Sequence, residues 1–99
     1  MRREADIERR FRRIVQAAGG YAFKFVSPGR RDVPDRLVAL PGQPLFLVEM
    51  KKPGGIVRKG QRRLHAALGD IGHKVWVIGD DDALALFERW VKGERVSYS

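Results

Sequence analysis

The chain has 99 residues, 43% of them hydrophobic, with 20 Lys and Arg against 12 Asp and Glu for a net charge of +8. That apolar content suits one packed domain over residues 1–99 and is too high for a disordered tail. The lack of cysteine excludes disulfides and thiolate metal sites, and no apolar run reaches the length of a membrane span. The N-terminal MRREADIERRFRR is charged throughout and has no signal-peptide stretch, so a cytoplasmic location is expected. A pI near 10.6 favours a polyanionic partner, of which nucleic acid is the commonest.

From about Arg3 to Ala18, the residues Ile7, Phe11, Ile14, Val15 and Ala18 recur at spacings of three, four and seven. This predicts a helix with one apolar face, stopped by Gly19-Gly20. YAFKFV, Tyr21 to Val26, alternates and reads as a strand, and SPGRRDVP is a basic, turn-rich loop. Arg36 to Leu40 and Leu45 to Met50 read as strands joined by Pro41-Gly42-Gln43-Pro44, hence an antiparallel hairpin. After Pro53-Gly54-Gly55 a second helix is expected from about Lys59 to Asp70, then a strand at Lys74 to Ile78. KVWVI is too apolar for an open sheet edge. A last helix runs from about Asp81 to Lys92, with Asp80, Asp81 and Asp82 suited to its N-terminus. The order α-β-β-β-α-β-α describes an α/β fold, a small mixed sheet flanked by helices.

The chemistry concentrates at one end of the hairpin. Pro34 suits the first residue of a strand, so Asp35 stands at the strand's head. Glu49 and Lys51 are two apart and share a face of theirs. In an antiparallel pair the head of one strand lies beside the tail of the next, which brings Asp35, Glu49 and Lys51 together. Two converging carboxylates form a hard-oxygen site for Mg²⁺ or Mn²⁺, and a lysine beside them can stabilise charge on a phosphate. The ordinary alternative is that Asp35 caps a turn and Glu49 and Lys51 are a solvated strand end.

On the first helix, Glu4 and Glu8 share a side, and Glu8 can lean toward the sheet or pair with Arg12. Gln61, in the first turn of the second helix, is a candidate hydrogen-bonding residue or a plain polar one. His65 follows on the same face and is expected to pack or hydrogen-bond. His73 is expected to be exposed, and with no partner for either histidine a zinc site is not expected. Lys24, Arg30, Arg31, Arg58, Lys59, Arg62 and Arg63 flank the hairpin end and are candidate phosphate contacts, or a solvated basic face; Arg9, Arg10, Arg12 and Arg13 make the first helix basic. Trp76 and Trp90 read as core or interface residues.

The ordered set of motifs resembles the PD-(D/E)xK nuclease superfamily, and within it the virus-type replication-repair nucleases, VRR-NUC. The matching features are the E-x-x-I-E helix (Glu4, Ile7, Glu8), the K-F strand (Lys24, Phe25) and the loop from Gly29 to Pro34-Asp35. E-x-K-x-P-G (Glu49 to Gly54) and Q-x-x-x-H (Gln61, His65) complete the series, which covers nearly the whole chain. The resemblance implies a restriction-endonuclease-like fold and a divalent-metal-dependent DNA endonuclease. Asp35 and Glu49 would be metal ligands and Lys51 the catalytic lysine. Glu8, with Glu4 as alternative, would be the helix acid, and Gln61 an accessory site residue. It further implies a homodimer acting on structured DNA such as a four-way (Holliday) junction, in a bacterial or phage-infected cell. A flap- or nick-directed nuclease, or a DNA-binding module that cuts nothing, are the alternatives.

Overall fold

The computed structural model describes residues 4–96. The chain forms α1 (Glu4–Ala17), β1 (Tyr21–Lys24), β2 (Arg36–Ala39), β3 (Phe46–Met50), α2 (Lys59–Asp70), β4 (Val75–Ile78) and α3 (Asp81–Val91). Every expected element is present, in the expected order and within about two residues of the expected ends. The expected start of α1 at Arg3 lies outside the described residues.

The four strands make one sheet in the order β1-β2-β3-β4. β1 pairs antiparallel with β2 and β2 with β3, while β3 and β4 run parallel with α2 as their crossover. The core lies on one face of the sheet. Alternation along the strands places Val38, Val48, Met50, Trp76 and Ile78 on that face, all buried. α1 and α3 cover it: Ile7, Phe11 and Val15 from α1 meet Leu84 and Phe87 from α3 in the same cluster. Phe11 and Phe87 ring centres are 5.4 Å apart, and Trp76 meets Phe87 edge-on at 5.3 Å. Trp90 is half-buried at the margin, edge-on to Phe46 at 5.2 Å. Burial of these aromatic and aliphatic side chains is the main drive for folding so short a chain.

α3 starts as its acids require. The Asp80 carboxylate accepts the Ala83 N–H at 2.8 Å, and Asp81 and Asp82 occupy the first turn, near the positive end of the dipole.

One expectation fails. β4 is an edge strand of the sheet, although KVWVI is strongly apolar. The strand is protected through its faces: Trp76 and Ile78 are buried toward α3, and Val75 and Val77 are half-buried on the side where α2 packs. Burial of the side chains did not require a neighbouring strand on both sides.

The face opposite the core is covered at β4 and at the Glu49–Lys51 end of β3. At β1 it is open, with Tyr21 67% and Phe23 53% exposed. Among the described residues no helix is long and apolar enough to cross a membrane.

The α1–β1 connection is tight. A Cβ on buried Gly20 would press on the Ala39 carbonyl oxygen and come within 2.7 Å of Leu40 Cδ2 and 3.2 Å of Val15 Cγ1. Backbone cannot rotate aside as a side chain can. Gly20→Ala is therefore expected to destabilise the fold by about 1–3 kcal/mol. Thermal unfolding should show a fall of roughly 4–8 °C for each kcal/mol; an unchanged midpoint would show that the connection has slack.

Candidate active site

Pairing of Arg36 with Val48 sets Asp35 and Glu49 opposite each other in the next row. The row continues into β4 as Val77, the partner of Glu49. On the other side Phe25 donates its N–H to the Asp35 carbonyl oxygen at 2.9 Å, extending the β1–β2 ladder by one residue. Lys51 follows on the same side of β3 as Glu49, and its N–H bonds the Ile78 carbonyl oxygen at 2.8 Å, so β3 stays tied to β4. The structure thus brings Asp35, Glu49 and Lys51 together at one end of the sheet.

Asp35 is held by its own neighbours. Its Oδ1 accepts the Met50 N–H at 2.9 Å, and its Oδ2 lies 3.2 Å from Arg36. Glu49 is only 5% exposed, and its Oε1 has no hydrogen-bond partner among the described residues. Its other oxygen is 3.7 Å from Lys51 Nζ. Burial and the charge of Asp35 push the Glu49 carboxyl above its ordinary pKa, and Lys51 opposes them. A buried carboxylate oxygen with no donor, beside a second carboxylate, is a site of surplus negative charge. It fits a hard divalent cation, which would supply the missing partner.

Lys51 Nζ donates to Gln61 Oε1 at 2.8 Å, and the same oxygen accepts the Arg58 backbone N–H at 2.9 Å. Gln61 is buried and closes the first turn of α2 while aiming the lysine. Its carbonyl is therefore engaged by two donors. Gly79 makes room for Lys51 from the other side: a Cβ there would lie 2.9 Å from Lys51 Cβ.

Glu8 is placed differently from the other acids. It is not paired with Arg12. Its carboxylate takes two contacts from Arg36 across the α1–β2 gap, at 3.1 Å each. Arg36 also donates to the Asp35 carbonyl oxygen at 2.9 Å. Arg36 was not among the sequence candidates, yet it links the helix acid to the strand acid. Its position next to Asp35 was the available signal; its partner on α1 was not visible from spacing. Among the described residues no three acids or histidines are grouped closely enough to hold a metal ion together, so Asp35 and Glu49 stand as a pair with Glu8 across Arg36. Glu4 opens α1, and its side chain lies outside the described residues.

His65 is half-buried with its Nε2 unpartnered among the described residues. Burial and the nearby Lys51 charge hold its pKa below the ordinary value, so it is neutral at pH 7. His73 is exposed, as expected. Lys24, Arg30, Arg31, Arg58, Lys59, Arg62 and Arg63 are all exposed. Lys24 ends β1, and Arg30 and Arg31 occupy the loop leading to Asp35. Arg58, Lys59, Arg62 and Arg63 lie at the start of α2, with Arg58 3.4 Å from Asp32 and Arg62 bonded to the Val57 carbonyl oxygen at 2.9 Å. In contrast, Arg9 and Arg10 on α1 pair with Asp6 and with Asp81 and Glu88.

No protein-family model matches the chain. It is 50% identical over 80 residues to the "Putative nuclease p44" of Acyrthosiphon pisum secondary endosymbiont phage 1, covering 81% of this chain and 86% of that one. Its fold is similar to a solved structure described as a VRR_NUC domain. The TM-score is 0.76 at 29% identity, over 88% of this chain and 96% of the other. The relative, the fold and the placement of Asp35, Glu49 and Lys51 agree with the motif series: the chain belongs to the VRR-NUC family of nucleases.

Proposed function

We propose that this chain is a divalent-metal-dependent, structure-selective DNA endonuclease, with Asp35, Glu49 and Lys51 at its catalytic centre. The observation that carries this reading is the buried, unpartnered Glu49 Oε1 beside Asp35, with Lys51 3.7 Å from the other oxygen. A fold-only role does not account for it, since burying a carboxylate without donors costs stability.

Asp35 and Glu49 would hold Mg²⁺ or Mn²⁺, which when bound supplies Lewis acidity to the phosphate and lowers the pKa of water. Lys51, aimed by Gln61, contacts the attacked phosphate or the attacking water and offsets the charge that builds there. Met50 N–H and Arg36 keep Asp35 oriented. Glu8 would be the third acid, held beside the pair through Arg36. The exposed cations on the Asp35 loop and at the start of α2 contact backbone phosphates, which favours binding to DNA generally over reading its bases.

We further assign the substrate to branched DNA, with the four-way junction as the leading case and a flap or nick as the alternative. A homodimer would present two such sites for paired cuts, and its interface must leave the Asp35–Glu49 end of the sheet open. A module that binds without cutting is disfavoured by the buried, unpartnered Glu49 oxygen beside Asp35.

Lys51→Ala is expected to lower the cleavage rate at least ~100-fold while the chain still folds and still binds DNA. A labelled four-way junction and a matched linear duplex, each with Mg²⁺, Mn²⁺ or EDTA, provide the assay. Paired metal-dependent cuts near the branch support the proposal, and wild-type cutting by the variant refutes the assigned chemistry.

A second expectation concerns stability. The folded-state pKa of Glu49 is raised, so between the ordinary and raised values the folded protein binds more protons than the unfolded chain. Stability from this group is present at low pH and lost as pH rises through that window. Glu49→Gln should therefore melt a few degrees higher than wild type at neutral pH without metal. Mn²⁺ should raise the wild-type midpoint and leave that of the variant unmoved. Equal metal responses would remove Glu49 from the ligand set.

A further inference from the structure

We propose that the open face of the sheet is a stacking platform for nucleotides that are unstacked or unpaired at a branch and flank the phosphate to be cut. This inference rests on the placement of that phosphate at Asp35 and Glu49.

The register carries the argument. Phe23 pairs with Leu37, Leu37 with Leu47, and Leu47 with Val75, so these side chains share one face. Two residues further along each strand, the same face bears Phe25, Asp35, Glu49 and Val77. The exposed aromatic strip and the carboxylates are thus consecutive rows of one surface. Tyr21 and Phe23 stand nearly parallel, with ring planes 11° apart and centres 6.2 Å apart. Phe25 is 37% exposed and, with Leu37, Leu47 and Leu68, lines an apolar groove of about 510 Å³. The groove runs from there to the β2–β3 turn at Gln43–Leu45 and to Trp76 and Trp90, at the end of the sheet away from the carboxylates. The groove has the size of an ordinary ligand site.

Charge selects the occupant. No acidic residue lines the groove, and Lys74 is part of its lining; Arg30 and Arg31 are exposed in the loop that joins Phe25 to Asp35, while Lys24 alternates to the other face of the sheet. Aromatic rings with cations alongside suit a single strand, whose bases stack while its phosphates meet the cations. A second copy of the chain seated here would bring two surfaces of the same sign together, since the chain carries a net charge of +8 and no acid lines the groove, at an electrostatic cost. It would also lie across the face that Asp35 and Glu49 share. A nucleotide strand uses the platform and the carboxylates together. At a branch point, bases lose a stacking neighbour, and Tyr21, Phe23 and Phe25 offer a replacement. This gives the nuclease a physical basis for preferring branched over continuous duplex.

The test is fluorescence anisotropy with a labelled single-stranded oligonucleotide and a matched duplex, in EDTA so that nothing is cut. Wild type, Phe23→Leu, Phe23→Trp and the double variant Tyr21→Ser with Phe23→Ser are compared, with sedimentation velocity on each. The expected result is that Phe23→Leu weakens single-strand binding roughly fivefold or more, and the double variant weakens it further. Phe23→Trp retains single-strand binding, and duplex affinity and sedimentation are unchanged throughout. Wild-type single-strand affinity in the double variant would overturn the proposal. So would equal losses for single strand and duplex. A wild-type dimer that the double variant dissociates would instead assign the face to self-association. Because cutting is not read, a failure here is distinct from failure of the catalytic assignment, which shows as cleavage by Lys51→Ala.

Discussion

The β2–β3 register is the constraint on which the site depends. Pairing Arg36 with Val48 sends Val38 and Val48 into the core and places Asp35 beside Glu49 on the next row. A slip of one residue would exchange the faces of every side chain on β2 relative to β3. Apolar burial on the core face thus enforces the alignment of the two carboxylates. The carboxylates need no mutual attraction, which they lack; they are held together by the same hydrophobic pattern that folds the chain.

That arrangement concentrates an electrostatic cost in one side chain. Glu49 is buried, feels the charge of Asp35, and has one oxygen with no donor. Lys51 offsets part of the cost, and Gln61 in turn fixes Lys51 to the start of α2. Asp35 is better satisfied, through Met50 N–H and Arg36. The contrast between the two acids is informative. An acid needed only for folding would be expected to resemble Asp35, with its oxygens bonded. Glu49 retains a deficit that a cation can fill, so the fold keeps in reserve an affinity it does not use for its own stability.

Much of this was legible in the residues. Apolar spacing in α1, the turn residues between β2 and β3, and the acids ahead of α3 each act through local chemistry, so the elements could be read in order. Asp35, Glu49 and Lys51 were legible because a hairpin converts sequence separation into spatial pairing. Arg36 was not, because its importance comes from Glu8, on an element 28 residues away, and packing of α1 on the sheet decides that contact. The edge position of β4 was also misread. Apolarity reports whether side chains are covered and is silent on whether helices or strands cover them. Gln61 was legible as a candidate; its two hydrogen bonds, to Lys51 and to the backbone of Arg58, depend on where the 52–58 connection delivers α2.

The two faces of the sheet divide the work of the molecule. The core face is sealed by α1 and α3 and carries nearly all the buried apolar residues. The other face is covered at β4 and bare at β1, and it alone runs into the Asp35–Glu49 row. In a small domain, leaving Tyr21 and Phe23 exposed forgoes burial that could have strengthened the fold. With α2 packed over β4, the face stays open on the β1 side of the carboxylates. Arg30 and Arg31 lie in the loop that joins Phe25 to Asp35. On the proposed reading, a polyanion drawn to the basic loop and stacked on β1 would meet the Asp35–Glu49 row on the same surface, so attraction, stacking and hydrolysis would all follow from one uncovered face.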